Sequence, residues 1–161
     1  MSGARGAASP AAARGSVTVT CPIVEATRAL AAGIARRVTP STVVALSGAL
    51  GAGMTCFIQG LAAGLGVEGP VTSPTFIMIA EHPGRLPLYH VDLYRTESLG
   101  EIRGLGLEEL LDGPGVTAIE WAEKAEPLLP PRSVRVRIRG AGNEPRIVEI
   151  EGAPPDSVDP G

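Results

Sequence analysis

The chain has 161 residues, 44% of them hydrophobic, and a formal net charge of −3. That length suits one domain with a sizeable core, and no apolar run approaches the roughly 20 residues a membrane span needs. An acidic chain is also a poor candidate for gripping a nucleic acid backbone unaided.

Residues 1–15, "MSGARGAASPAAARG", are small, carry arginines and lack acids. They have no apolar stretch of the kind a secretory leader needs and nothing amphipathic to support a transit peptide. A disordered, cytoplasmic start is expected there, ahead of one domain over 16–151 and a flexible tail over 152–161. Val17 to Thr20 alternates apolar and polar residues, as a short strand does. Pro22 suits the first turn of a helix. Leu30, Ile34 and several alanines then recur at helical spacing between Ile23 and Arg37, up to Pro40. "TVVAL" at 42–46 is a short β-branched run consistent with a buried strand. A glycine-rich loop follows, and "CFIQGLAAGLG" reads as a helix with Phe57, Ile58, Leu61 and Leu65 on one side.

"TFIMIAEH" and "LPLYHVDLY" read as two strands around the turn "PGR". "GLEELL" is a short helix, "VTAIEW" a buried strand, and "AEKAEPLL" a brief helix. "SVRVRIR" and "PRIVEIE" form a hairpin around "GAGNE". This order predicts an α/β fold with a mixed sheet, the antiparallel part coming from the hairpins. Arg135, Arg137 and Arg139 share one strand face. That face is either simply solvated or a basic stripe for tRNA or an acidic partner. The two cysteines, Cys21 and Cys56, have no metal-ligand spacing and read as free thiols of a reducing compartment. Lys124 is the only lysine.

The glycine loop is "GALGAGMT", residues 48–55. It differs by one letter, Met54, from the phosphate-binding form G-x-x-x-x-G-K-[ST]. With 21 glycines in the chain, a bare G-x-x-x-x-G pair arises by chance about two or three times, so the pair alone means nothing. Position adds weight, because the loop joins an apolar strand to an amphipathic helix. There the N–H groups of Gly51 to Thr55 would face phosphate oxygens, aided by the positive end of the helix. The Thr55 hydroxyl would take Mg²⁺. A tight strand-to-helix turn without function remains the alternative from this stretch alone.

Further along come "SPTF" at 73–76, "YHVDLYR" at 89–95 and "IEW" at 119–121. Together with "LSGALGAGMTCFIQGLAAGLG", they make the chain resemble the TsaE (YjeE) family from about Val17 to Ile150. The resemblance implies a P-loop NTPase-like three-layer sandwich with a mixed parallel and antiparallel central sheet. It implies an ATP-binding and ATP-hydrolysing subunit of the bacterial machinery that makes threonylcarbamoyladenosine in tRNA, dependent on Mg²⁺. Its partners would be TsaD and TsaB, with tRNA engaged only through the complex, in the cytoplasm and away from membranes. Two departures stand out: Met54 in place of lysine, and Cys56 where a second Thr or Ser is usual. A hydrolysis-impaired nucleotide-binding scaffold of the same complex is therefore an alternative, and a small-molecule P-loop kinase a more remote one.

On this resemblance, Leu50, Gly51, Ala52, Gly53, Met54, Thr55 and Cys56 form the nucleotide cradle. Thr55 and Glu120 are Mg²⁺ ligands, and Asp92 orients or deprotonates the attacking water or holds Mg²⁺ through water. Thr75 senses the γ-phosphate or its metal. Trp121 either packs or flanks the nucleotide, and Glu123 lies near the base or ribose. His90 is either structural or close to the chemistry. Arg95 either forms a salt bridge or supplies charge to the phosphates.

Overall fold

The computed structural model describes residues 15–159. Apart from Gly15, the stretch expected to be a disordered start lies outside them, as do the last two residues of the expected tail. Ser16–Cys21 (β1), Val43–Gly48 (β2), Ile79–His82 (β3), Leu88–Asp92 (β4), Val116–Glu120 (β5), Val134–Arg139 (β6) and Arg146–Glu151 (β7) form one sheet. Its order is β1-β7-β6-β2-β5-β4-β3. β2 pairs parallel with β5 and β6, and β4 pairs parallel with β5. The β1/β7, β6/β7 and β3/β4 pairs are antiparallel.

Both faces of the central strands are covered, giving three layers. In β2, Val44 and Leu46 join a core with Leu30 and Ile34 of helix α1 (Val24–Ala35) and Phe57, Ile58 and Leu61 of helix α2 (Met54–Gly64). The alternate residues Val43 and Ala45 join a second core with Ile102 of α3 (Leu99–Gly104) and Leu107 and Leu111 of α4 (Leu107–Leu111). Strands buried on two sides read as continuous apolar runs, which is why "TVVAL" and "VTAI" carry no alternation. Among the described residues no helix is long and apolar enough to cross a membrane.

Helices α1 and α2 approach closely because glycine takes the contact positions. A Cβ on Gly64 would lie 2.6 Å from the Ala32 carbonyl oxygen and 2.7 Å from Ala35 Cβ. Gly64→Ala should therefore destabilise the protein by about 1–3 kcal/mol. On an exposed helix the same change would add up to about 1 kcal/mol. The urea midpoint decides: a rise would mean that the two backbones do not need this approach.

One local expectation changes, one element is added and one helix is refined. The run "TFIMIAEH" pairs only from Ile79; residues 75–78 form a turn closed by Met78 N–H on the Pro74 carbonyl, with Met78 at φ 69°. Phe76 and Ile77 consequently point into solvent, 82% and 70% exposed. Helix α3 was absent from the sequence reading, although "SLGE" carries its start signal: Ser98 Oγ accepts from Glu101 N–H. The segment after "IEW" is a 3₁₀ helix, Ala122–Leu128, entered through Trp121 in the left-handed region. At the other end of the domain, Ala153 and Val158 pack on the first core and Ser157 is buried.

Candidate functional site

The carboxyl ends of the parallel strands β2, β4 and β5 converge at one edge of the sheet. In register, Leu46 lies beside Glu120, and Glu120 beside Asp92. Parallel α/β sheets bind ligands at this end, and the glycine loop leaves β2 there.

Two glycines are required by the loop's shape. Gly53 is the N-cap of α2 at φ 112°, a conformation that a side chain disfavours. At Gly48 a Cβ would sit 2.7 Å from the Ile138 carbonyl oxygen. Gly53 offers no side-chain cap, and the first turn of α2 carries no acidic residue. The orphan N–H groups of that turn and the helix's positive end are thus left for an external anion.

Arg146, on β7, braces the loop from outside. Its Nε donates to the Ala52 carbonyl at 2.8 Å and its Nη2 to the Gly51 carbonyl at 3.4 Å. Because the trans peptide sets C=O and N–H on opposite sides, holding Ala52 O outward turns the Gly53 N–H away from Arg146.

A cleft of about 440 Å³ opens over the loop. Leu50 through Cys56, Thr75, Asp92, Glu120 and Trp121 line it, with Ser73 and Tyr94. Eleven of the residues named from the sequence thus meet in one place; of the others, His90 and Arg95 do not line it, and Glu123 lines a separate cleft on the open face of β6 with Glu126 and Arg135. The Thr55 hydroxyl donates to Glu120 Oε2 at 2.9 Å. Glu120 is 5% exposed, and the same oxygen lies 2.6 Å from His90 Nε2. Asp92, also 5% exposed, accepts from Ser73 Oγ at 2.6 Å through Oδ2 and from the Tyr94 N–H at 3.0 Å through Oδ1. Ser73 Oγ is in turn 3.2 Å from Thr75 Oγ1. A hydroxyl chain therefore ties the segment at 73–75 to the strand-end carboxylate. Burial, and the neighbouring His90, hold His82 below the usual imidazole range; burial pushes the Cys21 thiol up.

The donors offered to a cation are a hydroxyl and carboxylates, the set preferred by a hard divalent ion. Among the described residues no group of three His, Cys, Asp or Glu could hold a metal ion. The Thr55 hydroxyl and Glu120 carboxylate, joined at 2.9 Å, make a donor set of the kind Mg²⁺ commonly takes, one or two carboxylates with phosphate and water completing the shell.

Among the described residues no lysine or arginine lines the cleft. Met54, where the motif has lysine, is 5% exposed and part of the first core. Lys124 donates to the carbonyls of Tyr94 and Thr96. Arg95 neither enters the cleft nor forms a salt bridge that the structure records; its guanidinium stacks 4.8 Å over the exposed Phe76 ring. Trp121 lies against Tyr94, ring centroids 5.1 Å apart. On β6, Arg135 pairs with Glu126 and Arg139 with Glu149, so the arginine stripe is a face of mixed sign.

Ser73 and Arg146 escaped the sequence reading. Ser73 lies inside the quoted "SPTF", and its place beside two hydroxyl or carboxylate candidates was the available signal. Arg146 had none, being 94 residues from the carbonyl it holds.

A family model described as "Threonylcarbamoyl adenosine biosynthesis protein TsaE" matches residues 21–148. The chain is 45% identical over 117 residues to a tRNA threonylcarbamoyladenosine biosynthesis protein TsaE from Treponema pallidum, covering 73% of this chain and 87% of that one. It is also 45% identical over 125 residues to the protein of the same name from Bacillus subtilis, covering 77% and 78%. Among solved structures it resembles YdiB from Bacillus subtilis, with a TM-score of 0.73, 34% identity and 86% of each chain covered.

Proposed function

Because the chain belongs to the TsaE family, we propose that it is the nucleotide-binding subunit of a tRNA threonylcarbamoyladenosine system, binding and slowly hydrolysing ATP. The observation that carries this reading is the Thr55–Glu120 hydrogen bond at 2.9 Å. It joins the helix-start hydroxyl to a strand-end carboxylate 65 residues away, at the mouth of an anion-ready loop.

In this reading the loop N–H groups bind the β- and γ-phosphates, and Thr55 and Glu120 hold Mg²⁺. The cation supplies neutralisation of charge on the phosphate oxygens. Asp92, clamped by Ser73 and the Tyr94 N–H, orients the attacking water and accepts its proton. Thr75, linked to the same clamp, reports whether the γ-phosphate is present. The base lies in the adjoining cleft, which shares Gly53 and Cys56 with the first and is lined by Ile23, Val24 and Thr27. A second reading, a scaffold that binds nucleotide without useful turnover, is favoured by Met54 alone.

Calorimetric titration with ADP, with and without Mg²⁺, tests the proposal. Wild-type protein should bind ADP more tightly with the cation. Glu120→Gln should lose most of that gain, and absence of ADP binding at millimolar nucleotide would sink the cradle.

The partners in this reading are TsaD and TsaB, with tRNA reached through them, in the cytoplasm. Leu50, Phe76 and Ile77, all exposed, lie on the loop and on the segment that follows Thr75, where a partner could sense the nucleotide state. Phe76→Ser should weaken binding to a TsaB–TsaD complex by about thirtyfold, the scale of an aromatic hot spot of about 2 kcal/mol. ADP affinity of the isolated chain should not move. Unchanged partner affinity in a pull-down titration would take Phe76 out of the interface.

A further inference from the structure

His90 is fully buried, and the one recorded hydrogen bond of its side chain goes to Glu120. Its Nδ1 has no partner among the described residues. Burying an imidazole with one nitrogen unpaired is unfavourable, so packing alone does not account for histidine at this position. An apolar residue would fill the space without the orphan.

The strand register explains what the ring touches. His90 and Asp92 alternate onto the same face of β4, and their partners in β5 are Ala118 and Glu120. The small Ala118 leaves room for the imidazole to reach diagonally under the Glu120 carboxylate. An ionised carboxylate only accepts, so Nε2 is the donor in this contact. Glu120 Oε2 thus receives both the Thr55 hydroxyl and His90 Nε2. Among the described residues, both of these bonds are to Oε2 and none is recorded to Oε1.

We propose that His90 is a positioning residue for the cation: it pins Oε2 of Glu120 so that Oε1 is presented to the metal held with Thr55. This rests on the reading of Glu120 as a cation ligand. A terminal carboxylate torsion is broad and soft. Without the imidazole it is held by the Thr55 hydroxyl alone, itself a ligand in the same reading. Partners that orient metal ligands in this way typically set metal affinity by about ten- to a hundredfold.

The test measures Mn²⁺ binding to the ADP-bound full chain by electron paramagnetic resonance, and ADP affinity in chelator. The variants are His90→Leu, His90→Asn, His90→Gln and Glu120→Gln. A glutamine amide can reach the place of Nε2; an asparagine amide falls short. The Leu and Asn variants should bind Mn²⁺ about ten- to a hundredfold more weakly, with ADP affinity in chelator within about twofold of wild type. His90→Gln should recover most of the loss. Wild-type Mn²⁺ binding by Leu and Asn while Glu120→Gln is impaired would overturn the role of His90 and leave the cation site standing. Unimpaired binding by Glu120→Gln would overturn the cation site itself. If the Leu variant fails to fold, the Asn and Gln pair decides. Equal weakness of those two, or loss of fold in both, makes His90 a structural residue and overturns the proposal.

Discussion

Met54→Lys should accelerate single-turnover ATP hydrolysis by at least about tenfold while tightening ADP less. None of the described residues lining the loop cleft is a lysine or arginine, so charge developing on the γ-phosphate meets no cationic side chain among them. A charge-assisted hydrogen bond contributes about 1.5–3 kcal/mol, and each 1.36 kcal/mol of transition-state stabilisation is tenfold in rate. The gain falls mainly on turnover because phosphate charge redistributes during transfer. An opposing effect is built into the structure. Met54 is 5% exposed and packs in the first core, so the variant loses part of a burial of about 1.5–3 kcal/mol. A lysine stem can follow the methionine path and bring its ammonium to the cleft that Met54 already lines. The nucleotide-free variant should therefore melt earlier, and ADP with Mg²⁺ should recover more of its stability than in wild type. Rapid-quench measurement, alone and with TsaB and TsaD, gives the answer. No acceleration in the assembled complex would mean that a partner already supplies the cation or that hydrolysis is not this chain's work.

Asp92→Asn should slow hydrolysis by about 10²–10⁴, the usual worth of a positioned general base. Asparagine keeps the shape, and its carbonyl can still accept from the Tyr94 N–H, which Asp92 does at 3.0 Å. The Ser73 hydroxyl, a donor to Asp92 at 2.6 Å, can rotate to accept from the new amide instead. The fold and ADP affinity should therefore change little, and the deficit should appear in the chemical step. Measuring it in the Met54→Lys background provides a rate high enough to read the loss. Wild-type turnover in Asp92→Asn would reduce Asp92 to a brace for the segment at 73–75.

Much of this molecule was legible in its order of residues. Period-3.6 patterning identified α1 and α2, and β-branched runs identified β2 and β5. The three arginines placed on one face of β6 do share it, and the intervening Val134, Val136 and Ile138 are buried. Local chemistry marked the loop: glycine at Gly53, where φ is 112°, is a requirement of one backbone position, and such requirements are written in single residues. Apolar content misled at 75–78, because a turn that presents Phe76 and Ile77 to solvent looks like a strand until its pairing is known.

Convergence was decided only in three dimensions. Thr55 meets Glu120 across 65 residues, Ser73 meets Asp92 across 19, and Arg146 reaches the Ala52 carbonyl across 94. No local pattern encodes these meetings. They follow from the sheet order β1-β7-β6-β2-β5-β4-β3, which sets β2, β5 and β4 side by side and brings β7 round to the loop. Residue order alone nominated the groups proposed to bind phosphate and metal, since that is a matter of side-chain and backbone chemistry. Which carboxylate stands against which hydroxyl, and that His90 lies beneath Glu120 while Glu123 turns to another cleft, was decided by strand pairing and register, because long-range packing alone selects among strand orders that satisfy the same local periodicities.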